Sequence, residues 1–216
     1  MRLPWASSLA LVGLLGLLGV TPMACAAGSK CPPQAAVDPT AATESAPTAE
    51  ASAAPEVSVA PVVMLLVRHA EKASDGSADP PLTDEGRTRA QCLATLLQDL
   101  SPTHLFATQY QRTRATLEPL AAASGHAVTV IEAQDGAKWT QAFDALPPGS
   151  RVVVAGHSNT LPQWVAGLGG SLSALDDKGN IPHDEYARLV HVVRDGQGEV
   201  VVYTTDYCVP AVGSAP

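Results

Sequence analysis

The sequence predicts a three-layer α/β/α domain with a mainly parallel central sheet and a C-terminal antiparallel hairpin. Uninterrupted apolar runs at residues 62–67 and 152–155 have the character of strands buried on both faces. Segments of helical periodicity alternate with these and other short apolar runs, the order that builds parallel βαβ units. Near the C-terminus Asp195-Gly196-Gln197-Gly198 separates two strand-like runs in the manner of a hairpin turn.

Taken in order, the domain starts with Val62-Val63-Met64-Leu65-Leu66-Val67, a strand that ends at Arg68-His69. Asp79-Pro80-Pro81 excludes helix from the loop that follows. Thr83 reads as a helix N-cap, with Asp84 and Glu85 in the first turn where the dipole favours acids. That helix extends to Leu100, with Ala90, Leu93, Ala94, Leu96 and Leu97 facing inward, and Pro102 stops it. Residues 104–107 form a second strand and 111–124 a helix with Leu117 and Leu120 on one side and Gly125 as its stop. A third strand covers 127–131, and a short helix covers 139–146 before Pro147-Pro148-Gly149. The strand at 151–156 ends at His157, and Pro162 fits the first turn of a helix that fades at Gly167-Leu168-Gly169-Gly170. Residues 188–194 and 199–205 are the hairpin strands.

Composition divides the 216-residue chain further. Residues 1–26 read as an export signal, with Arg2 at its positive end and an apolar stretch over residues 9–20 that is short for a bilayer span. Ala24-Cys25-Ala26 fits an ordinary cleavage site releasing a chain that begins near Ala27. Alternatively Cys25 is the lipid-modified cysteine of a bacterial lipoprotein, although Pro22 and Met23 fit that pattern poorly. Either route leads out of the cytoplasm, to the periplasm or a lipid anchor in the envelope. Residues 27–61, rich in Ala, Pro, Ser and Thr, read as a disordered tether, 62–208 as the folded domain and 209–216 as a disordered tail.

A net charge of −8 disfavours nucleic acid and anionic membrane surfaces as partners, so an anionic substrate must be drawn in by a local cluster of arginines. Of the four cysteines, Cys92 and Cys208 lie in the domain and can pair in an oxidising compartment, or else are a small buried helix side chain and an unrelated terminal cysteine; none has metal-ligand spacing. All six histidines follow Val62.

Arg68-His69 and His157 each close a buried strand, at the sheet edge where α/β proteins bind ligands. Arg112 opens a helix after another strand and points toward the same edge. Two guanidinium forks and two imidazoles at one pocket suit phosphoryl transfer: the forks grip peripheral oxygens, one neutral imidazole attacks phosphorus, and the other, if protonated, donates to the charge that grows there. The cations are supplied by side chains, so neither a metal nor another cofactor is required.

At these positions the chain resembles the histidine phosphatase superfamily, the phosphoglycerate mutase-like fold, and in its modest insertions the short phosphohistidine-phosphatase-like members. Leu65-Leu66-Val67-Arg68-His69-Ala70-Glu71-Lys72 is similar to the family signature, with Ala70 where glycine is usual. Pro81-Leu82-Thr83-Asp84-Glu85-Gly86 resembles the family's helix start, Ala107–Thr116 its arginine segment with Arg112 as phosphate ligand, and Val153–Asn159 its second-histidine segment. The resemblance implies a metal-independent phosphatase acting through a phosphohistidine on His69, with Arg68, Arg112 and His157 around it. It also implies a carboxylic acid that protonates the leaving group, for which Asp135 and Glu132 are both candidates; without one, phosphoramidates and acyl phosphates become the favoured substrates. Glu71 and Asn159 are candidate substrate contacts, against the alternatives of a solvated Glu71–Lys72 pair and a helix cap. His183 lies in a loop within possible reach of the site. The partner implied is a small phosphorylated compound or a phosphoprotein. A phosphoglycerate-type mutase and a non-catalytic phosphate-binding envelope protein are the competing readings, and retention of both histidines weighs against the latter.

Overall fold

The computed structural model describes residues 59–209. The signal read at 1–26, nearly all of the tether, Cys25 and most of the tail therefore lie outside the described residues. The elements are β1 Val62–Arg68, α1 Asp84–Leu97 with a 3₁₀ turn Gln98–Leu100, β2 His104–Ala107, α2 Gln111–Ser124, β3 Val128–Val130, α3 Gly136–Asp144, β4 Arg151–Gly156, α4 Thr160–Gly167, β5 Arg188–Arg194 and β6 Val200–Asp206.

They form one six-stranded sheet in the order β3-β2-β4-β1-β5-β6. β1, β4, β2 and β3 run parallel, while β5 and β6 are antiparallel additions. This is the predicted three-layer α/β architecture. Apolar runs without alternation are explained by the layers: Met64 and Leu66 of β1 pack with Trp139, Phe143 and Trp164 from α3 and α4. Leu65 and Val67 pack on the opposite face with Leu93, Leu97, Leu117 and Leu120 from α1 and α2. Each such fully buried aliphatic side chain contributes roughly 1.5–3 kcal/mol of transfer free energy.

Two glycines permit close packing near the functional edge. A Cβ on Gly86 would strike the Glu71 backbone, so only glycine lets α1 start against the loop that follows His69. A Cβ on Gly156 would lie 2.5 Å from the Trp164 ring, which closes α4 onto the end of β4.

The structure corrects several local expectations. Leu96 is 53% exposed, because Leu93, Ala94 and Leu97 complete the inward stripe and Leu96 falls outside that arc. α3 starts at Gly136 rather than Trp139, since the Asp135 side chain accepts from Lys138 N and caps the helix. Just before β1 the Ala60 carbonyl accepts from Gly149 N.

Cys92 on α1 and Cys208 after β6 form a disulfide, with Cα atoms 6.1 Å apart and a sequence separation of 116. A closure of that length removes much denatured-state entropy. Cys208→Ser is expected to lower stability by ~2–5 kcal/mol in urea unfolding relative to the oxidised protein. An unchanged midpoint in the variant and in reductant contradicts this.

Candidate active site

The site grows out of the pairing of β1 with β4. Arg68 stands opposite Gly156, and His69 N donates to the Gly156 carbonyl at 2.9 Å, so the two strands end level and deliver His69 and His157 side by side. The imidazole centroids are 5.4 Å apart at an interplanar angle of 63°. The turn after His69 is held from α2: Ala70 N donates to Thr116 Oγ1 at 2.9 Å, and that hydroxyl donates to the Arg112 carbonyl at 2.7 Å.

His69 Nδ1 lies 2.8 Å from the Ala70 carbonyl oxygen. A carbonyl only accepts, so Nδ1 carries the proton and Nε2 keeps its lone pair. Burial, with His157, Arg68 and Arg112 nearby, lowers the His69 pKa to about 3 against the opposing effect of that hydrogen bond, so the ring is neutral at pH 7.

His157 Nε2 lies 2.9 Å from Thr108 Oγ1, which is 2.8 Å from Thr113 Oγ1. Thr113 Oγ1 has carbonyl acceptors at Tyr110 (2.7 Å) and Thr108 (3.0 Å). Its one proton goes to a carbonyl, so Thr108 donates to Thr113 and accepts from His157 Nε2–H. The relay leaves Nδ1 as the unprotonated nitrogen of the neutral ring. Burial first, then Arg112 and Arg68, lower the His157 pKa to about 4.

The arginines are clamped in different ways. Arg68 Nη1 donates to the carbonyls of Pro182 (3.1 Å), His183 (2.7 Å) and Glu185 (3.3 Å), and its guanidinium lies 4.2 Å from the Tyr186 ring centroid. Arg112 pairs with Asp79 at 3.3 Å and lies 4.3 Å from the Tyr110 ring centroid. Asp79 also accepts from Gln111 N at the start of α2. Among the described residues the buried Nε–H groups of Arg68 and Arg112 have no hydrogen-bond partner. Both arginines and both histidines line one cavity of about 710 Å³.

The remaining candidates separate. Asn159 lines the cavity and, among the described residues, its side chain makes no cap bond to α4. Lys72 and His183 also line it. Glu71 does not: its carboxylate turns to Arg89 at 2.7 Å under α1, which removes it from substrate contact and from pairing with Lys72. Glu132 and Asp135 are likewise absent from the wall, which Ala133, Gln134 and Gly136 form instead. Asp135 is occupied by Lys138, whose hydrogen bonds hold its carboxyl below the usual range, the wrong direction for a proton donor at neutral pH. Sequence reasoning assigned no role to Thr108, Tyr110, Thr113, Thr116, Asp79 or Tyr186. The first four stand in or beside the quoted arginine segment, and their spacing about Arg112 was the available signal.

Residues 64–135 match the model of the histidine phosphatase superfamily (branch 1). The probable phosphoglycerate mutase GpmB of Shigella dysenteriae serotype 1 is 39% identical over 66 residues, 28% of this chain and 31% of the relative. Its counterpart from Escherichia coli strain K12 / DH10B gives the same identity and coverage. The match thus spans under a third of these curated relatives. The solved structure of the protein histidine phosphatase SixA complexed with tungstate superposes with a TM-score of 0.51 at 17% identity, covering 67% of this chain and 97% of that one. Residues 64–135, which carry Arg68, His69 and Arg112, are thus similar to the histidine phosphatase superfamily, and the fold is one shared with the protein histidine phosphatase SixA.

Proposed function

We propose that the chain is a phosphatase working through a phosphohistidine on His69. His69 Nε2 attacks phosphorus, the bond from phosphorus to the leaving group breaks with its electron pair going to that group, and water then hydrolyses the N–P bond, releasing phosphate and restoring the imidazole. Arg68 and Arg112 hold the phosphoryl oxygens, and Asn159 supports the pocket. His157, neutral in the free site, gains a counter-charge when a phosphoryl dianion binds; the raised pKa lets Nδ1 take a proton and donate to the oxygens while Thr108 retains Nε2–H.

The observation that carries this reading is the convergence of the Arg68 and Arg112 guanidinium groups and two neutral imidazoles, 5.4 Å apart, on one cavity. Guanidinium groups suit the peripheral oxygens of a phosphoryl group, and a neutral imidazole suits attack on its phosphorus. Among the described residues the only acidic side chain lining the cavity is Asp144, at the far end of α3. A substrate whose leaving group needs little protonation fits best, so phosphoramidates and acyl phosphates are favoured over alkyl monoesters. The relative named a protein histidine phosphatase agrees with this; the mutase names rest on the shorter match.

The test is hydrolysis of a chromogenic aryl phosphate, an acyl phosphate and phosphohistidine by wild type and His69→Ala. A loss of at least ~10³-fold in the variant is expected. Phosphate binding without turnover of any substrate favours the binding-protein reading.

We also propose that the protein is exported, through the signal at 1–26. The Cys92–Cys208 disulfide supports this, since such bonds persist in oxidising compartments. Mass spectrometry of the mature N-terminus separates release near Ala27 from acylation of Cys25; an intact Met1 on the mature protein contradicts both.

A further inference from the structure

Arg68, His69 and His157 reach the cavity from the ends of β1 and β4, and its wall continues as an arm along α3 and α4. α3 turns one face to it along its whole length, from Gly136 through Thr140 to Asp144, and α4 does the same from Thr160 through Gln163 to Gly167. At 1.5 Å per residue the α3 wall is about 12 Å long, several times the reach of a phosphoryl group.

The charge along this arm is distinctive. Neither helix presents a lysine or arginine to it. Lys138, the one basic residue on α3, pairs with Asp135 outside the cavity at 3.0 Å. The charged group at the far end is the Asp144 carboxylate, 3.6 Å from Arg194. The other basic side chains lining the cavity, Lys72 and His183, stand in the loop after β1 and in the loop whose carbonyls bind Arg68, and neither belongs to α3 or α4. Exposed Thr140 and Gln163 offer a hydroxyl and an amide instead.

Building on the phosphatase reading, we infer that the α3–α4 arm is the leaving-group subsite and takes an elongated, uncharged group bearing amides or hydroxyls. A leaving group with a second anion finds no counter-charge among the described residues of the α3 and α4 walls and meets Asp144 at their end. Desolvating an unpaired anion there is unfavourable, whereas neutral donors and acceptors exchange water for Gln163 and Thr140 at little cost. A peptide segment and a polyol both supply this chemistry. A short carboxylated phosphate ester does not.

The test is calorimetric titration of the intact protein with non-hydrolysable phosphonates: methylphosphonate, one with a neutral diamide tail of about 10 Å, one with a polyol tail of similar length, and the diamide ending in a carboxylate. The tighter of the two neutral tails is expected to bind at least ~10-fold better than methylphosphonate, and its identity tells amide from hydroxyl recognition. The terminal carboxylate removes that gain. Thr140→Lys, or Gln163→Lys should the first fold poorly, reverses the order by giving the carboxylate a partner. Equal affinity for methylphosphonate and all tails, or tighter binding of the carboxylate by the unsubstituted protein, overturns the arm assignment alone. Failure of methylphosphonate to compete with phosphate overturns the phosphatase reading beneath it.

Discussion

Arg68→Ala is expected to lower kcat/KM for aryl phosphate hydrolysis by at least ~10³-fold, because it removes a preorganised charge from the developing phosphoryl charge. The same substitution releases the loop at residues 182–186, whose three carbonyls converge on Arg68 Nη1. Those carbonyls are left without their charged donor, at a cost of roughly 1–3 kcal/mol. Arg68→Lys is expected to recover little, since one ammonium cannot serve the carbonyl cluster and present a separate N–H to phosphate. Hydrogen exchange over 182–186 measures the loop effect independently of turnover. Unchanged protection there, with activity within tenfold of wild type, contradicts the dual role.

Acid destabilisation has the next largest expected effect. The folded pKa values of His69 and His157 are lowered to about 3 and about 4, whereas unfolded imidazoles titrate near 6.5. Between these limits the unfolded chain binds more protons than the folded one, so stability rises with pH through that window. The contribution is fully present above about pH 6.5 and is lost progressively as pH falls toward 3–4, with a slope of up to ~1.4 kcal/mol per pH unit for each ring. Urea unfolding across this range reads the slope. His69→Asn is expected to remove its share, and saturating phosphate to flatten the curve by supplying a counter-charge. A stability independent of pH from 4 to 7 contradicts the buried, neutral state of the pair.

Where the sequence was informative, local pattern and local structure coincide. The runs that became β1 and β4 are buried on both faces, so they lack alternation and are plain in composition; the chemistry at their ends inherits that clarity. Gly86 and Thr83 are similarly readable, because a cap and a close approach impose narrow residue choices. What the sequence hid depends on partners distant along the chain. Glu71 follows β1 and His69 and looks available, yet Arg89 on α1 claims it from 18 residues away. Asp135 stood at a plausible spacing for an acid, but its carboxylate serves the start of α3. Thr108 is an ordinary strand-end residue until β4 brings His157 against it across 49 residues. Pairings of this kind are fixed by tertiary register, which single-sequence periodicity does not encode.

The phosphohistidine on His69 is most directly tested by acid-free quenching of the protein during incubation with an aryl phosphate, followed by mass spectrometry under mildly alkaline conditions that spare N–P bonds. One phosphoryl group on the peptide containing His69, absent from His69→Ala and appearing before free phosphate, is the predicted result. Turnover with no labelled histidine, or with the label on His157, contradicts it.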